Sequence, residues 1–225
     1  MLEHITPYLE HATDSVKLRI SNVLDAKSVE DVAKKSFAFH FRDGTSTKFQ
    51  DYYIATINNR KYFLESENFF AKFKKMYSLQ GIDNAYLFRL EREKKNLLDK
   101  LDKNDLVSIY LDYFAHALIK HGTKSVKKNL ASFFAKFIHT FRPNEYCALD
   151  NPIKNYFGLS NESFYLSFLI ISTAYKSWIN ENTHIIAQVR EQLKLNRVGN
   201  DYSNQMTDLK LLDLIFWLKA NKIGH

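Results

Sequence analysis

Residues 120–142 read KHGTKSVKKNLASFFAKFIHTFR. Leu130, Phe133, Phe134, Phe137, Ile138 and Phe141 fall at i, i+3, i+4, i+7, i+8 and i+11, which places them on one face of an α-helix. At about 100° per residue, Lys124, Lys128, Ser132, Lys136, His139 and Arg142 project from the opposite half of a helix that begins that early. The expectation is a helix backed by aromatics, with a basic and hydroxylic face about 20 Å long. Six basic residues lie in this stretch, Lys120, Lys124, Lys127, Lys128, Lys136 and Arg142, with two histidines and no acid. They account for six of the seven net positive charges of the chain and leave +1 for the rest.

The 225 residues are 45% apolar and 25% charged, ordinary globular values that exclude a disordered or fibrous chain. Only 6 Gly and 3 Pro are present, too few turn formers for an all-β sandwich. Helical periodicity dominates instead. Val16 to Ala26, Val29 to Lys35, Glu67 to Tyr77, Asn84 to Leu101 and Asp105 to Lys120 read as helices. Between residues 37 and 64 the segments FAFHF and YYIATINNRKYFL, with Asp43-Gly44 and Asn58-Asn59, allow a short strand hairpin, although helix is preferred. The expected fold class is all-α, a bundle of nine or ten helices in one domain over 1–225. An N-terminal subdomain over 1–102 and a helical core over 103–225 are compatible with it.

Downstream, Asn151-Pro152 and Gly158 bracket a short helix from Pro152 to Phe157. Ser160 is placed to cap a helix running to about Asn180, apolar on most sides and so central to the core. Ile185 to Leu195 is amphipathic, and after the loop RVGNDYSNQM, Thr207 caps a last core helix, LKLLDLIFWLK. No stretch reaches the roughly 18 uninterrupted apolar residues of a membrane span, and the N-terminus lacks the apolar centre of a secretory signal. One cysteine, Cys147, excludes an internal disulfide. The chain reads as a soluble cytoplasmic protein, nucleoid-associated if it binds DNA.

Two classes of partner fit the basic stretch. Lysines on one face meet several phosphates of a DNA duplex, and a glycine-containing turn opening a helix adds backbone N–H donors. Alternatively, the face is solvated, pairs with the acids of Glu91–Glu93 or Asp99–Asp105, or docks an acidic protein partner. Asp150, beside the start of a helix, faces the positive helix end, where it serves either as a structural cap or as an ionised functional carboxylate.

The run ASFFAKFIHTFRPNEYCALDNPIKNYFG, with HGTK as the preceding turn, resembles the helix–loop–Asp–helix segment of helix-hairpin-helix DNA glycosylases. The closing TDLKLLDLIFW is similar to the final core helix of such proteins. The match covers about residues 121–158 and 207–218. It implies DNA binding of the base-excision type, active or degenerate. Asp150 would be the carboxylate that stabilises the sugar cation, and Lys128 or Lys124 would stand near the Schiff-base lysine. Lys120, Lys124, Lys127, Lys128, Lys136 and Arg142 would contact the duplex.

No phosphate loop, dinucleotide fingerprint, zinc-protease helix or nucleophile elbow is present. The eight histidines are scattered, so neither metal nor cofactor is expected. Cys147 reads as a small core residue, and Tyr52, Tyr53 and Tyr202 as aromatics able to stack on a base.

Overall fold

A computed structural model describes residues 2–42, 44–121, 124–196 and 202–222. Among these residues the chain forms thirteen α-helices and one two-stranded hairpin. The N-terminal helices are α1 (Leu2–Ser21), α2 (Val29–His40), α3 (Gly44–Thr56), α4 (Arg60–Glu65), α5 (Phe69–Met76), α6 (Asn84–Arg92), α7 (Lys94–Asp102) and α8 (Leu106–Ile109). A π-helical segment, Tyr110–Ala115, leads into strands β1 (Ala117–His121) and β2 (Lys124–Lys128). The remainder is α9 (Ala131–Phe141), α10 (Asn151–Tyr156), α11 (Phe164–Glu181), α12 (Thr183–Leu195) and α13 (Asp208–Lys222). Among the described residues no helix is long and apolar enough to cross a membrane.

The all-α class holds, but its one hairpin lies at 117–128 and not between 37 and 64. There, Asn58 takes a left-handed φ of 51° and the Asn59 side chain accepts the Tyr62 N–H. Asn58-Asn59 therefore turns one helix into the next, because the asparagine side chain caps α4 as readily as it would serve a hairpin.

The helix expected to start near Lys124 starts instead at Ala131. Lys124, Lys127 and Lys128 would crowd at i, i+3 and i+4 on one helical face, a like-charge arrangement that weakens a helix. In the extended strand, Lys127 and Lys128 alternate sides, and Val126 sits in the conformation that branched side chains favour. The register pairs Ala117 with Lys128, Ile119 with Val126 and His121 with Lys124. Beyond it, the Leu130 N–H donates to the Phe114 carbonyl (2.8 Å), closing the base of the hairpin. The Gly122–Thr123 turn, to which anion-binding amides were ascribed, lies outside the described residues.

One hydrophobic core runs from Ala12 on α1 to Phe216 on α13, and α9 passes through it. The Phe stripe is as read. Phe141 meets Phe63 with ring centroids 4.8 Å apart, Phe137 meets Phe70 at 5.7 Å, and Phe133 stacks on Phe73 at 5.4 Å. On the other side Phe134 packs edge-on to Phe168 of α11 at 5.3 Å. The helix is thus buried all round, including Ala135, His139 and Thr140, rather than along one face. α10 and α11 pack on α13, and α2 packs on α12 and α13. The first short helix after α9 ends at Gly158, whose φ of +77° is the left-handed region glycine enters without strain.

Truncating Phe137 to alanine removes a ring enclosed by four other phenylalanines and leaves a cavity. A loss of about 3–5 kcal/mol is expected in urea unfolding. Val126→Ala, on the exposed strand, is expected to change stability by under about 0.5 kcal/mol.

Candidate functional site

The candidate site gathers around the loop between α9 and α10, residues 142–150, and is built by three helices that pin this loop. From α9, His139 Nδ1–H donates to the Tyr146 carbonyl (2.6 Å), which fixes the tautomer so that Nε2 accepts from the Tyr53 hydroxyl (3.0 Å). From α11, Ser172 Oγ accepts the Cys147 N–H (3.1 Å). From α13, Asp213 Oδ2 accepts the Ala148 N–H (2.7 Å). Three consecutive residues are held from three directions. The next turn of chain delivers Asp150.

Asp150 divides its two oxygens between two tasks. Oδ1 accepts the Ile153 N–H (3.2 Å) and caps α10, so the cap is Asp150 rather than Asn151, and Pro152 takes the second helical position. Oδ2 faces the Lys136 ammonium at 4.0 Å. Lys136 Nζ also donates to Ser132 Oγ (2.8 Å), one turn back on α9. Both side chains keep a small opening to solvent, 15% for Lys136 and 13% for Asp150. Burial lowers the Lys136 pKa, while Asp150 and Asp213 oppose that shift.

Behind this pair lie Lys210 and Asp213, three residues apart on α13 and only 5% and 3% exposed. The Lys210 ammonium is roofed by the rings of Tyr53, 5.0 Å from its centroid, and Phe49, at 5.3 Å. Burial lowers its pKa to about 8, with Lys136 acting in the same direction against the pull of Asp213. Burial raises Asp213 to about 7, opposed chiefly by Lys210. Among the described residues nothing hydrogen-bonds its second oxygen, Oδ1, or the buried Tyr175 hydroxyl.

The structure separates residues that the sequence had placed on one surface. Lys136 is not a solvent-facing contact but points inward to Asp150, and His139 is buried in the core. Arg142 is engaged by both carboxylate oxygens of Glu145 (2.8 and 2.6 Å) and by Asn104. Lys128 donates to the Gln80 and Gly81 carbonyls (3.3 Å each), so it is tied to the α5–α6 turn, and Asp150 is not among its partners. Lys120, Lys124, Lys127 and Lys128 all remain exposed on the hairpin, and every residue of β2 is exposed. Neither Lys124 nor Lys127 has an acidic partner among the described residues.

The aromatics proposed for stacking are core residues. Tyr52, Tyr53 and Tyr202 are buried, and the Tyr202 hydroxyl donates to Asp51 (2.7 Å). Cys147 is buried, as expected, and loss of solvent raises its thiol pKa. Lys210 and Asp213 were missed, although they are the charged residues at 209–216, LKLLDLIF. Charges inside a helix that is apolar on most sides were the available signal.

Burial lowers His139 to about 3 and His40 to about 4. The unfolded chain takes up these protons near pH 6.5, so below that pH it binds more protons than the fold and stability falls. Asp213 acts oppositely: its fold-state proton is retained up to about 7, and its contribution weakens as pH rises from about 4. His139→Gln, which keeps a donor for Tyr146, is expected to flatten the loss of urea stability between pH 6.5 and 4. An unchanged slope would remove His139 from that linkage.

Searches for similar proteins found no matching family model, no matching curated protein and no matching solved structure.

Proposed function

We propose that the chain binds duplex DNA through the 117–128 hairpin and that Lys136 with Asp150 forms its reactive pair, a base-excision chemistry of the helix-hairpin-helix glycosylase kind. The observation that carries the reading is a ribbon with four exposed lysines and no acidic residue on either strand. Exposed lysines on two short strands can follow a phosphate backbone without the cost of stripping water from a buried charge. Asp150 keeps one oxygen for the α10 cap and turns the other toward Lys136, close to the opening. Such a carboxylate suits the stabilisation of a cationic sugar as a base departs. In lyase chemistry Lys136, not Lys128, is the amine that faces Asp150, and burial lowers its pKa.

The open outer edge of β2 also favours a second reading, in which an acidic protein segment docks on the same lysines. Salt titration separates neither class alone, so the test uses a defined duplex. In fluorescence anisotropy, neutralisation of about four phosphates predicts a log–log salt slope of roughly −3 to −4. Lys124→Gln with Lys127→Gln should lower its magnitude by about 2. No binding at 50 mM salt would sink the DNA reading and leave the acidic-protein reading.

With a lesion-containing duplex, Asp150→Asn should abolish base release while binding persists, since asparagine caps a helix as well as aspartate does. Borohydride trapping on an abasic duplex should be lost in Lys136→Gln and kept in Lys128→Gln. The reverse pattern would return the amine role to the hairpin.

A further inference from the structure

We infer that Asp213 on α13 is a positioning residue for the Lys136–Asp150 pair, holding the backbone that leads to Asp150, and that Asp213 and the enclosed Lys210 together set the charge this pair feels from behind. The inference rests on the reading of Lys136 and Asp150 as the reactive pair. Its geometric basis is the Ala148 N–H to Asp213 bond (2.7 Å), two residues before Asp150, between helices α10 and α13 that pack together. This bond fixes the height at which the chain enters the α10 cap. Moving Asp213 would move Asp150 relative to Lys136, which sits on a different helix and would not follow.

The charge argument follows from enclosure. Lys136, Asp150, Lys210 and Asp213 make two cations and two anions in a site where water is largely excluded. Each of the α13 charges feels both members of the Lys136–Asp150 pair. The other titratable groups that face Asp213 are Tyr53, Tyr77, Tyr175 and Cys147, whose pKa values burial raises, so all four stay neutral near pH 7. His139 and His40, which face Lys210, stay neutral because burial lowers theirs. The four-charge set is therefore the electrostatic content of the site. Burial moves both α13 groups toward neutral pH, Lys210 down to about 8 and Asp213 up to about 7. A change of charge at Lys136 or Asp150 is therefore felt at both of them.

The test is a lysine Cε NMR titration of the full chain between pH 6 and 11, with the two resonances assigned by their loss in Lys136→Met and Lys210→Met. Lys210 is expected to titrate near 8, below the ordinary lysine value of about 10.4. Lys136→Met should raise the Lys210 midpoint by roughly one unit, as a like charge is removed. Asp213→Asn should lower it by a similar amount. Lys210 titrating near the ordinary lysine value of about 10.4 would overturn the inference. So would a Lys210 midpoint indifferent to Lys136→Met. If a variant fails to fold, a wild-type spectrum in which every lysine titrates near about 10.4 overturns the inference without any assignment.

Where base release is observed, Asp213→Asn should shift its pH–rate profile and lower kcat while leaving duplex affinity within about twofold; an unshifted profile contradicts the inference. If no duplex binds, the DNA reading fails while the lysine titration still decides this one. If base release stands and Lys210 titrates as an ordinary lysine, only this inference falls.

Discussion

The rest of the structure depends on the near-complete burial of α9, in which only Ser132 and Lys136 keep partial exposure. A helix with one apolar stripe can leave its polar face in water, but α9 is enclosed by α5, α11 and the π-helical segment, and the polar face has nowhere to go. Each polar group on it must therefore find a partner inside the protein or lose the hydrogen bonds that water supplied. His139 is satisfied by Tyr53 and the Tyr146 carbonyl, Thr140 by the Lys136 carbonyl, and Lys136 by Ser132 and Asp150. These bonds reach into the α9–α10 loop and decide its path. The site is in this sense a consequence of how the core accommodates polar groups.

Much of this was legible in the sequence. The Phe133–Phe141 stripe, the stop at Gly158 and the cap at Thr207 carry local signals and appear where spacing puts them, whereas the α10 cap falls one residue earlier than Asn151-Pro152 suggests, on Asp150. Two features were not legible. The first is which half of the 120–142 stretch is helical, because periodicity at Lys124 and Lys128 fits a helix that their mutual repulsion and Val126 disfavour. The second is the direction in which the polar side of α9 faces. A stripe of phenylalanines identifies one buried face, but it says nothing about α11 and α13 covering the other.

The same limit explains the site residues. Asp150 announces itself through its helix start, whereas its neighbours come from residues 60 and 63 positions further along the chain, and only the packing of α13 on α10 brings Lys210 and Asp213 there. Lys136 looked like one basic residue among six. Its distinction from Lys124 or Lys128 is burial, which sequence periodicity does not report once a helix is enclosed on every side. The positive charge of the segment consequently divides three ways: exposed lysines on the hairpin, Arg142 paired with Glu145, and one inward lysine held in a neutral set of four charges.

The central claim is that this division exists: Lys136 and Lys210 enclosed, the hairpin lysines open. Amine-acylation footprinting of the native chain, read by peptide mass spectrometry, measures it directly. The account predicts rapid labelling at Lys124 and Lys127, much slower labelling at Lys136, whose side chain keeps 15% of its surface open, and strong protection at Lys210 until the fold is melted. Labelling of Lys136 at the rate of Lys124 would contradict it, because Lys136 would then lie on an open basic face rather than against Asp150.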